Sequence, residues 1–114
     1  MSLAAMRTGY EVVQELRLSL DMLLPINYAG VFFYIASNPG CTQKQVEEEM
    51  GLAQTALSRI VAVLSETPPK QGKGGYGVIK LVQDYNDRRV NRLELTEKGR
   101  LLSQRLTDIL GNGN

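Results

Sequence analysis

Apolar residues recur at helical spacing over the first third of the chain. The first such stretch predicts a helix over residues 8–24, which Pro25 ends because a proline disfavours the α conformation of the residue before it. The second stretch, residues 28–37, is apolar on every side and therefore predicts a buried central helix with Asn27 as its cap. A turn is predicted at Asn38-Pro39-Gly40, where the chain reverses.

Two short helices with a tight turn between them are predicted for residues 42–66. Thr42 followed by Gln45 fits a capping box at the start of the first helix, and Gly51 allows the sharp turn after it. Five apolar side chains take the positions that are buried where two such helices cross: Val46, Met50, Leu52, Leu57 and Ile60. This spacing predicts a helix-turn-helix, whose second helix, residues 54–66, can enter a DNA major groove.

The segment after this motif changes from helical spacing to strand patterns. Residues 78–82 are apolar and β-branched, residues 90–95 alternate between apolar and polar, and the polar residues 84–89 favour a turn between them. A two-stranded hairpin, the wing, is therefore predicted over residues 78–96. Thr96 is expected to cap a last helix. The apolar face of that helix comprises Leu101, Leu102, Leu106, Ile109 and Leu110.

These elements fit a single domain over residues 1–114, because a chain of this length suffices for one core. The predicted fold is mainly α with a small β-hairpin. Its element order is that of a winged helix-turn-helix, with a three-helix core, a wing and a helix on each flank. We interpret the flanking helices, residues 8–24 and 97–110, as dimerisation helices, because their apolar faces exceed what one thin core needs.

The charges of the chain are unevenly distributed, although its composition of 43% hydrophobic and 22% charged residues is ordinary for a globular protein. Residues 1–69 have four basic and seven acidic side chains, net −3, whereas residues 70–100 have eight basic and four acidic, net +4. Such polarity suits a protein that presents one face to a polyanion. A solvated hairpin with scattered lysines has the same composition, so charge alone does not separate the two interpretations.

The chain has one cysteine and no histidine, which excludes an internal disulfide, a Cys/His zinc cluster and a Ser-His or Cys-His catalytic pair. The tight acidic cluster Glu47-Glu48-Glu49 is expected to splay around a helix and not to converge. We therefore expect that the protein is not an enzyme and that it binds no metal or cofactor. No apolar run approaches the ~20 residues that span a bilayer, and no signal-peptide segment is evident, so we expect a cytoplasmic protein without a membrane partner.

In a helix-turn-helix, exposed side chains at the start of the second helix contact base edges. These positions are Gln54, Thr55, Ser58 and Arg59. Gln pairs bidentately with adenine and Arg with guanine, whereas Thr and Ser contact bases or phosphates. We favour this role over that of simple solvent-facing residues. At the start of the preceding helix, Thr42 and Gln43 can offer backbone N–H groups to a phosphate.

The most specific patterns in the chain are TQKQVEEEMGLAQTALSRIVAVL, residues 42–64, and DYNDRRVNRLELTEKGRLL, residues 84–102. They resemble the winged helix-turn-helix of the MarR family of transcriptional regulators. The second is the more specific, because an Asp-x-x-Asp-Arg-Arg turn followed by a strand and Leu-Thr-Glu-x-Gly is close to the family's wing pattern. The resemblance implies that Arg89 enters a minor groove, braced by Asp87, and a narrow minor groove attracts arginine through its negative potential.

Other basic residues near the predicted wing fit phosphate neutralisation better than base contact. They are Arg88, Lys80 and Arg92, while Lys70 and Lys73 can add looser backbone contacts. Compared with the resembling family, Ala53 replaces the hydroxyl residue that is expected to cap the second helix of the motif.

Two features have both a functional and a structural interpretation. Cys41 can act as a redox sensor, but a lone small residue before a helix cap is usually structural, and we favour the structural role. The aromatic residues Tyr10, Tyr28, Phe33 and Tyr34 can line a pocket for a phenolic ligand, but core packing is the favoured interpretation. The sequence therefore identifies no small-molecule effector.

Taken together, the patterns predict a homodimeric regulator that binds double-stranded DNA, with residues 54–66 in a major groove and residues 84–91 in a minor groove. The alternative is a winged-helix module that binds protein within a larger nucleoprotein assembly. Glu47-Glu48-Glu49 beside the groove helix and the near-neutral total charge, +1, support that alternative.

Overall fold

The computed structural model describes residues 1–65 and 75–112. Its helices are α1 (Leu3–Ser19), α2 (Ile26–Ser37), α3 (Gln43–Met50), α4 (Gln54–Leu64) and α5 (Glu97–Asn112), and its strands are β1 (Cys41–Thr42), β2 (Ile79–Gln83) and β3 (Asn91–Leu95). The strands form an antiparallel sheet in the order β1-β3-β2. This is the predicted mainly α winged-helix architecture. Within the described ranges, no helix is long and apolar enough to cross a membrane.

The centre of the core is α2, as its uniformly apolar sequence predicts. Val31, Phe32 and Ile35 have no exposed surface. Side chains from the other helices and from the sheet complete the core, among them Val46, Leu57, Leu64, Ile79, Leu93 and Leu102. These residues belong to α3, α4, β2, β3 and α5, so the core joins the helix-turn-helix, the sheet and α5 into one body.

The boundaries of α1 differ from the prediction. The helix begins at Leu3, because the Ser2 hydroxyl accepts a hydrogen bond from the N–H of Ala5 at 3.1 Å and caps the first turn. It ends at Ser19, well before Pro25. The following turn is held by the Asp21 carboxylate, which accepts from the N–H of Leu23 at 2.8 Å.

Pro25 has a different role from the predicted one, since it precedes α2 directly as its N-terminal cap residue, with φ −64°. The prediction that Asn27 caps this helix is wrong, because Asn27 lies inside its first turn. A proline favours the start of a helix, where the missing N–H needs no partner. The helix therefore starts at Ile26, two residues earlier than predicted.

The predicted two-stranded hairpin is part of a three-stranded sheet. In the hairpin, Leu81 pairs with Leu93, and on the other side of β3 Cys41 pairs with the same Leu93. β1 was not predicted, because two residues are too few to show an alternating pattern. Its pairing places the strand that leads into α3 within the same sheet as the wing.

The junction between the sheet and α5 is closely packed. The Thr96 hydroxyl donates to the carbonyl of Gly77 and accepts from the N–H of Gly99 at 3.1 Å, so it caps α5 as predicted and also binds the segment before β2. A Cβ atom on Gly99 would lie 2.0 Å from the carbonyl oxygen of Val78. Only glycine fits there without a shift of backbone.

Gly99→Ala is expected to lower the free energy of unfolding by about 1–3 kcal/mol, because the added methyl group overlaps a backbone oxygen that cannot rotate away. Urea denaturation followed by circular dichroism measures the change. Gly111→Ala is the matched control, since an added Cβ there meets nothing within 4 Å and alanine is the better helix former. Equal stability of Gly99→Ala and the wild type would show that α5 does not pack against this carbonyl.

A second long-range contact joins the α1–α2 connection to the segment before β2. The hydroxyl of Tyr76 donates to the Asp21 carboxylate at 2.9 Å. Burial, and then this hydrogen bond, raise the pKa of Tyr76 to about 12. The phenol therefore stays protonated across the physiological range. Lys70 and Lys73, for which backbone contacts were predicted, lie outside the described residues.

Candidate nucleic-acid interface

The first turns of α4 have one exposed and one buried side, because apolar residues recur every three or four positions. Leu57, Ile60, Val61 and Leu64 are buried against the core. The four residues predicted to read bases, Gln54, Thr55, Ser58 and Arg59, are all exposed. Ala53 provides no side-chain cap, so the first turn of the helix begins without one, as its sequence predicts.

The orientation of α4 is set by the turn that precedes it. The predicted capping box is present at the start of α3: the Thr42 hydroxyl accepts from the N–H of Gln45 at 3.2 Å, and the Gln45 amide oxygen accepts from the N–H of Thr42 at 2.8 Å. At the other end of α3, Gly51 has φ 66°, a left-handed conformation that glycine adopts without strain. The N–H of Leu52 then donates to the carbonyl of Glu47 at 3.0 Å and closes the turn.

The capping box bears on the predicted phosphate contacts of Thr42 and Gln43. Since the N–H of Thr42 already donates to Gln45, a phosphate contact by Thr42 cannot rest on that group. Both residues are half-buried at the N-terminus of α3. The contact predicted for Gln43 stays a prediction, and it would use a backbone N–H of the first helical turn, where these groups have no partner within the helix and point beyond its N-terminal end.

The turn between β2 and β3 holds an exposed arginine. The Asp87 carboxylate accepts from Nε of Arg89 at 3.1 Å, from its Nη2 at 3.3 Å and from its backbone N–H at 3.0 Å. This is the pairing expected from the resemblance. The side chain of Arg89 is 91% exposed, so the ion pair orients the guanidinium and leaves it accessible. The same hydrogen bonds from Arg89 lower the pKa of Asp87.

The start of α4 and the wing arginine border one groove on the surface. The residues that line this groove are Thr42, Gln43, Lys44, Glu47, Gln54, Arg89, Val90 and Asn91. Gln54 and Arg89 therefore lie on the same side of the molecule. An elongated partner that contacts the exposed side of α4 can reach the guanidinium at the wing without crossing the protein.

A carboxylate that the sequence analysis did not single out organises the wing turn. Oδ1 of Asp84 accepts from the N–H of Asn86 at 2.7 Å and from the N–H of Asp87 at 3.2 Å. Its Oδ2 accepts from Nε of Arg92 at 2.7 Å. These bonds, that from Asn86 foremost, lower the pKa of Asp84. The signal was available, because an Asp at the first position of a turn commonly bonds the backbone two residues on.

The remaining predicted basic residues lie at different places on the sheet. Lys80 is exposed and follows the buried Ile79, so it lies on the outer face of β2. Arg88 is exposed at the wing turn, where its carbonyl accepts from Nε2 of Gln83 at 3.0 Å. Arg92 differs from both, because its guanidinium has partners within the protein.

The surroundings of Cys41 and of the aromatic residues bear on the alternative roles considered for them. Cys41 is buried in the sheet, and this burial raises the pKa of its thiol, which disfavours the reactive thiolate. Tyr28, Phe33 and Tyr34 pack against the core, with Phe33 edge-to-face on Phe32. The core packing predicted for Tyr10 is wrong, because Tyr10 is 53% exposed on α1. In residues 1–65 and 75–112, no group of three or more His, Cys, Asp or Glu side chains is placed to hold a metal ion.

Comparison with known proteins identifies the fold and the helix-turn-helix segment. The model of the MarR family matches residues 24–67. FabT of Streptococcus pneumoniae, solved in complex with DNA, is 26% identical, with a TM-score of 0.64 over 96% of this chain and 74% of that chain. No curated protein shows a significant sequence match.

Two further solved structures share the fold at lower identity. The transcriptional regulator Tm0710 from Thermotoga maritima is 19% identical, with a TM-score of 0.67 over 95% of this chain and 70% of that chain. The PcaV transcriptional regulator from Streptomyces coelicolor, solved with its natural ligand, is 22% identical, with a TM-score of 0.62 over 96% of this chain and 72% of that chain. The chain is therefore a MarR-like winged helix-turn-helix protein, in its fold and in the family match of residues 24–67.

Proposed function

We propose that this protein is a transcriptional regulator that binds double-stranded DNA as a homodimer. In each subunit α4 enters a major groove and the turn between β2 and β3 enters the adjacent minor groove. The observation that carries the proposal is the shared groove bordered by Gln54 and Arg89, since it puts a polar helix start and an exposed guanidinium on one side of the molecule. FabT, whose structure contains DNA, supports the choice of partner.

The base-reading role is assigned to the exposed residues of α4. Gln54 and Arg59 have side chains that form paired hydrogen bonds with adenine and guanine edges, respectively. Thr55 and Ser58 lie on the same exposed side and supply shorter hydroxyl contacts. All four project from a helix whose opposite side is fixed by core packing, which keeps their positions constant as the duplex approaches.

The minor-groove and phosphate contacts are assigned to the wing and to the start of α3. Arg89, preorganised by Asp87, is proposed to enter the minor groove. Arg88, Lys80 and the backbone N–H of Gln43 at the N-terminus of α3 are proposed to contact phosphates, whereas Thr42 is left out because its N–H already donates to Gln45. Arg92 is left out of this set, because two of its guanidinium nitrogens already donate to protein oxygens.

The proposed dimer uses the flanking helices. Four exposed apolar side chains lie along α1 at alternating spacings of three and four, the repeat of a helix that packs against another helix. They are Leu3, Met6, Tyr10 and Val13. α1 and α5 pack together in the subunit, where Nε of Arg105 donates to Glu15 at 3.1 Å, and α5 adds the exposed Leu101. Such a stripe is unusual on a monomer and suits a second copy of this chain.

A symmetric dimer of this kind predicts a roughly palindromic site, with half-sites about one helical turn, ~10 base pairs, apart. Selection of bound sites from a pool of random duplexes tests the proposed function directly. Enrichment of a two-fold symmetric sequence is the expected result. Recovery of an unenriched pool, or no retention of DNA at low salt, would contradict the proposal and favour the protein-binding module.

Arg59→Ala is expected to weaken binding to the selected duplex by about 1–3 kcal/mol and to relax the base preference at one position in each half-site. The reason is that a bidentate contact to a base edge discriminates between bases, whereas a phosphate contact does not. Titration of each variant against the selected and a scrambled duplex measures the effect. Lys80→Ala is the comparison variant, with equal losses expected on both duplexes. An equal loss on both duplexes for Arg59→Ala would remove the base-reading assignment.

A further inference from the structure

We propose that Arg92 and Asp84 are positioning residues that hold the wing turn at a fixed place relative to the helix-turn-helix, and that Arg92 does not act as a phosphate ligand. This inference rests on the proposed function, because the turn that it positions presents Arg89 to DNA. It replaces the phosphate contact that the sequence suggested for Arg92.

The first observation is that the Arg92 guanidinium joins two separate parts of the chain. Its Nε donates to Oδ2 of Asp84 at 2.7 Å, and its Nη1 donates to the carbonyl of Gly40 at 2.9 Å. Gly40 lies directly before β1, which leads into α3, whereas Asp84 opens the wing turn. One side chain therefore bridges the entry to the helix-turn-helix and the base of the wing.

The second observation is that Asp84 passes this constraint on to the wing arginine. Its second oxygen accepts from the N–H groups of Asn86 and Asp87. Asp87 in turn holds both the backbone N–H and the guanidinium of Arg89. A continuous series of hydrogen bonds runs from the Gly40 carbonyl through Arg92, Asp84 and Asp87 to the exposed guanidinium.

The third observation is the difference in exposure within this series. The side chain of Asp84 is only 12% exposed and that of Arg92 is 44% exposed, whereas that of Arg89 is 91% exposed. Charge-assisted hydrogen bonds are stronger than neutral ones, and those sheltered from solvent are screened less, so the inner pair suits a structural constraint and the outer guanidinium suits a ligand contact. A planar guanidinium also binds two acceptors in fixed directions, which a lysine ammonium does not.

The variant Asp84→Asn distinguishes positioning from simple electrostatics, because the two predict opposite changes in the affinity for DNA. Asp84→Asn removes a negative charge from the proposed DNA-facing side, so electrostatics alone predicts tighter binding. Positioning predicts weaker binding, because an asparagine has one oxygen and cannot accept from Arg92 and from the turn N–H groups with both of its terminal atoms. The expected result is a loss of about three- to thirtyfold in affinity for the selected duplex.

Arg92→Lys gives a second test, because it keeps the charge and removes the two-pronged geometry. A phosphate ligand that acts through its charge tolerates this change with little loss, whereas a positioning residue does not, and a loss similar to that of Asp84→Asn is expected. Asp108→Asn on α5 is the charge-matched control, with size-exclusion chromatography to verify that its oligomeric state equals that of the wild type, and it is expected to bind as tightly as the wild type or slightly more tightly. Unchanged binding by Arg92→Lys would overturn the inference.

Coupling to Arg89 distinguishes positioning from a general loss of fold. In the Arg89→Ala background, Asp84→Asn is expected to cost little further affinity, since the group that it positions is gone. Hydrogen exchange of the N–H groups of Asn86 and Asp87 is expected to accelerate in Asp84→Asn while exchange within α2 stays unchanged. Tighter or equal binding by Asp84→Asn, or full additivity with Arg89→Ala, overturns this inference alone. Absence of DNA binding by the wild type overturns the proposed function and this inference with it.

Discussion

Raising the salt concentration from about 50 to about 200 mM is expected to weaken the binding of the protein to duplex DNA by about 10³- to 10⁵-fold. The proposed interface brings four cationic side chains of each subunit into the grooves or against the phosphates, Arg59, Lys80, Arg88 and Arg89, so a dimer neutralises roughly eight charges of the duplex and releases their counterions. The logarithm of the affinity should fall linearly with the logarithm of the salt concentration. Fluorescence anisotropy of a labelled duplex, titrated at several salt concentrations, gives the slope.

Lys80→Ala provides the control for this slope, because it removes one proposed phosphate contact from each subunit. The slope is expected to become shallower by about one for each subunit, and the selected and scrambled duplexes should show the same change. Binding that does not depend on salt would contradict the proposed interface. Binding of a protein partner in place of DNA would support the alternative module.

Phe32→Ala is expected to lower the free energy of unfolding by about 3–5 kcal/mol. Phe32 has no exposed surface at the centre of α2, and its ring contacts that of Phe33 edge-to-face with the centroids 6.1 Å apart. Truncation removes buried apolar surface and leaves a cavity that the surrounding helices cannot fill. Because the total stability of a small domain is about 5–15 kcal/mol, such a loss leaves the fold marginal.

Denaturation in urea, followed by circular dichroism at fixed protein concentration, measures this change. Tyr85→Ala is the control, since Tyr85 is 98% exposed at the wing turn, and its loss should change stability by no more than about 0.5 kcal/mol. An equal midpoint for Phe32→Ala and the wild type would show that α2 is not the centre of the core.

The helix-turn-helix was predictable from sequence because its signals are local. The capping box needs only Thr42 and Gln45, and the turn needs a glycine at position 51, so neither depends on the rest of the fold. The exposure of the α4 residues followed from the apolar period of the same helix. The start of α1 was local as well, but the prediction began at the regular apolar repeat and did not use Ser2 as a cap.

The parts that sequence reasoning missed depend on pairs that are far apart along the chain. β1 is a strand only because Cys41 and Thr42 pair with Leu93 and Arg92. The partner of the Arg92 guanidinium at Gly40 is 52 residues away, and no local pattern indicates it. For the same reason Arg92 looked like one more basic wing residue, and the organising role of Asp84 was not recognised.

The short strand β1 connects the helix-turn-helix to the wing, and this connection bears on which DNA sequences the protein would bind. Because β1 pairs with β3 and continues directly into α3, backbone hydrogen bonds, including that from the N–H of Gly40 to the carbonyl of Leu93 at 2.9 Å, tie the start of the helix-turn-helix to the strand that carries the wing. A protein whose helix-turn-helix and wing are held together in this way would bind best to DNA in which the spacing of neighbouring major and minor grooves matches its own. It would also bind DNA that reaches this spacing at a low deformation energy. Base steps between the two contacts, which no side chain touches, then contribute to selectivity through their stiffness.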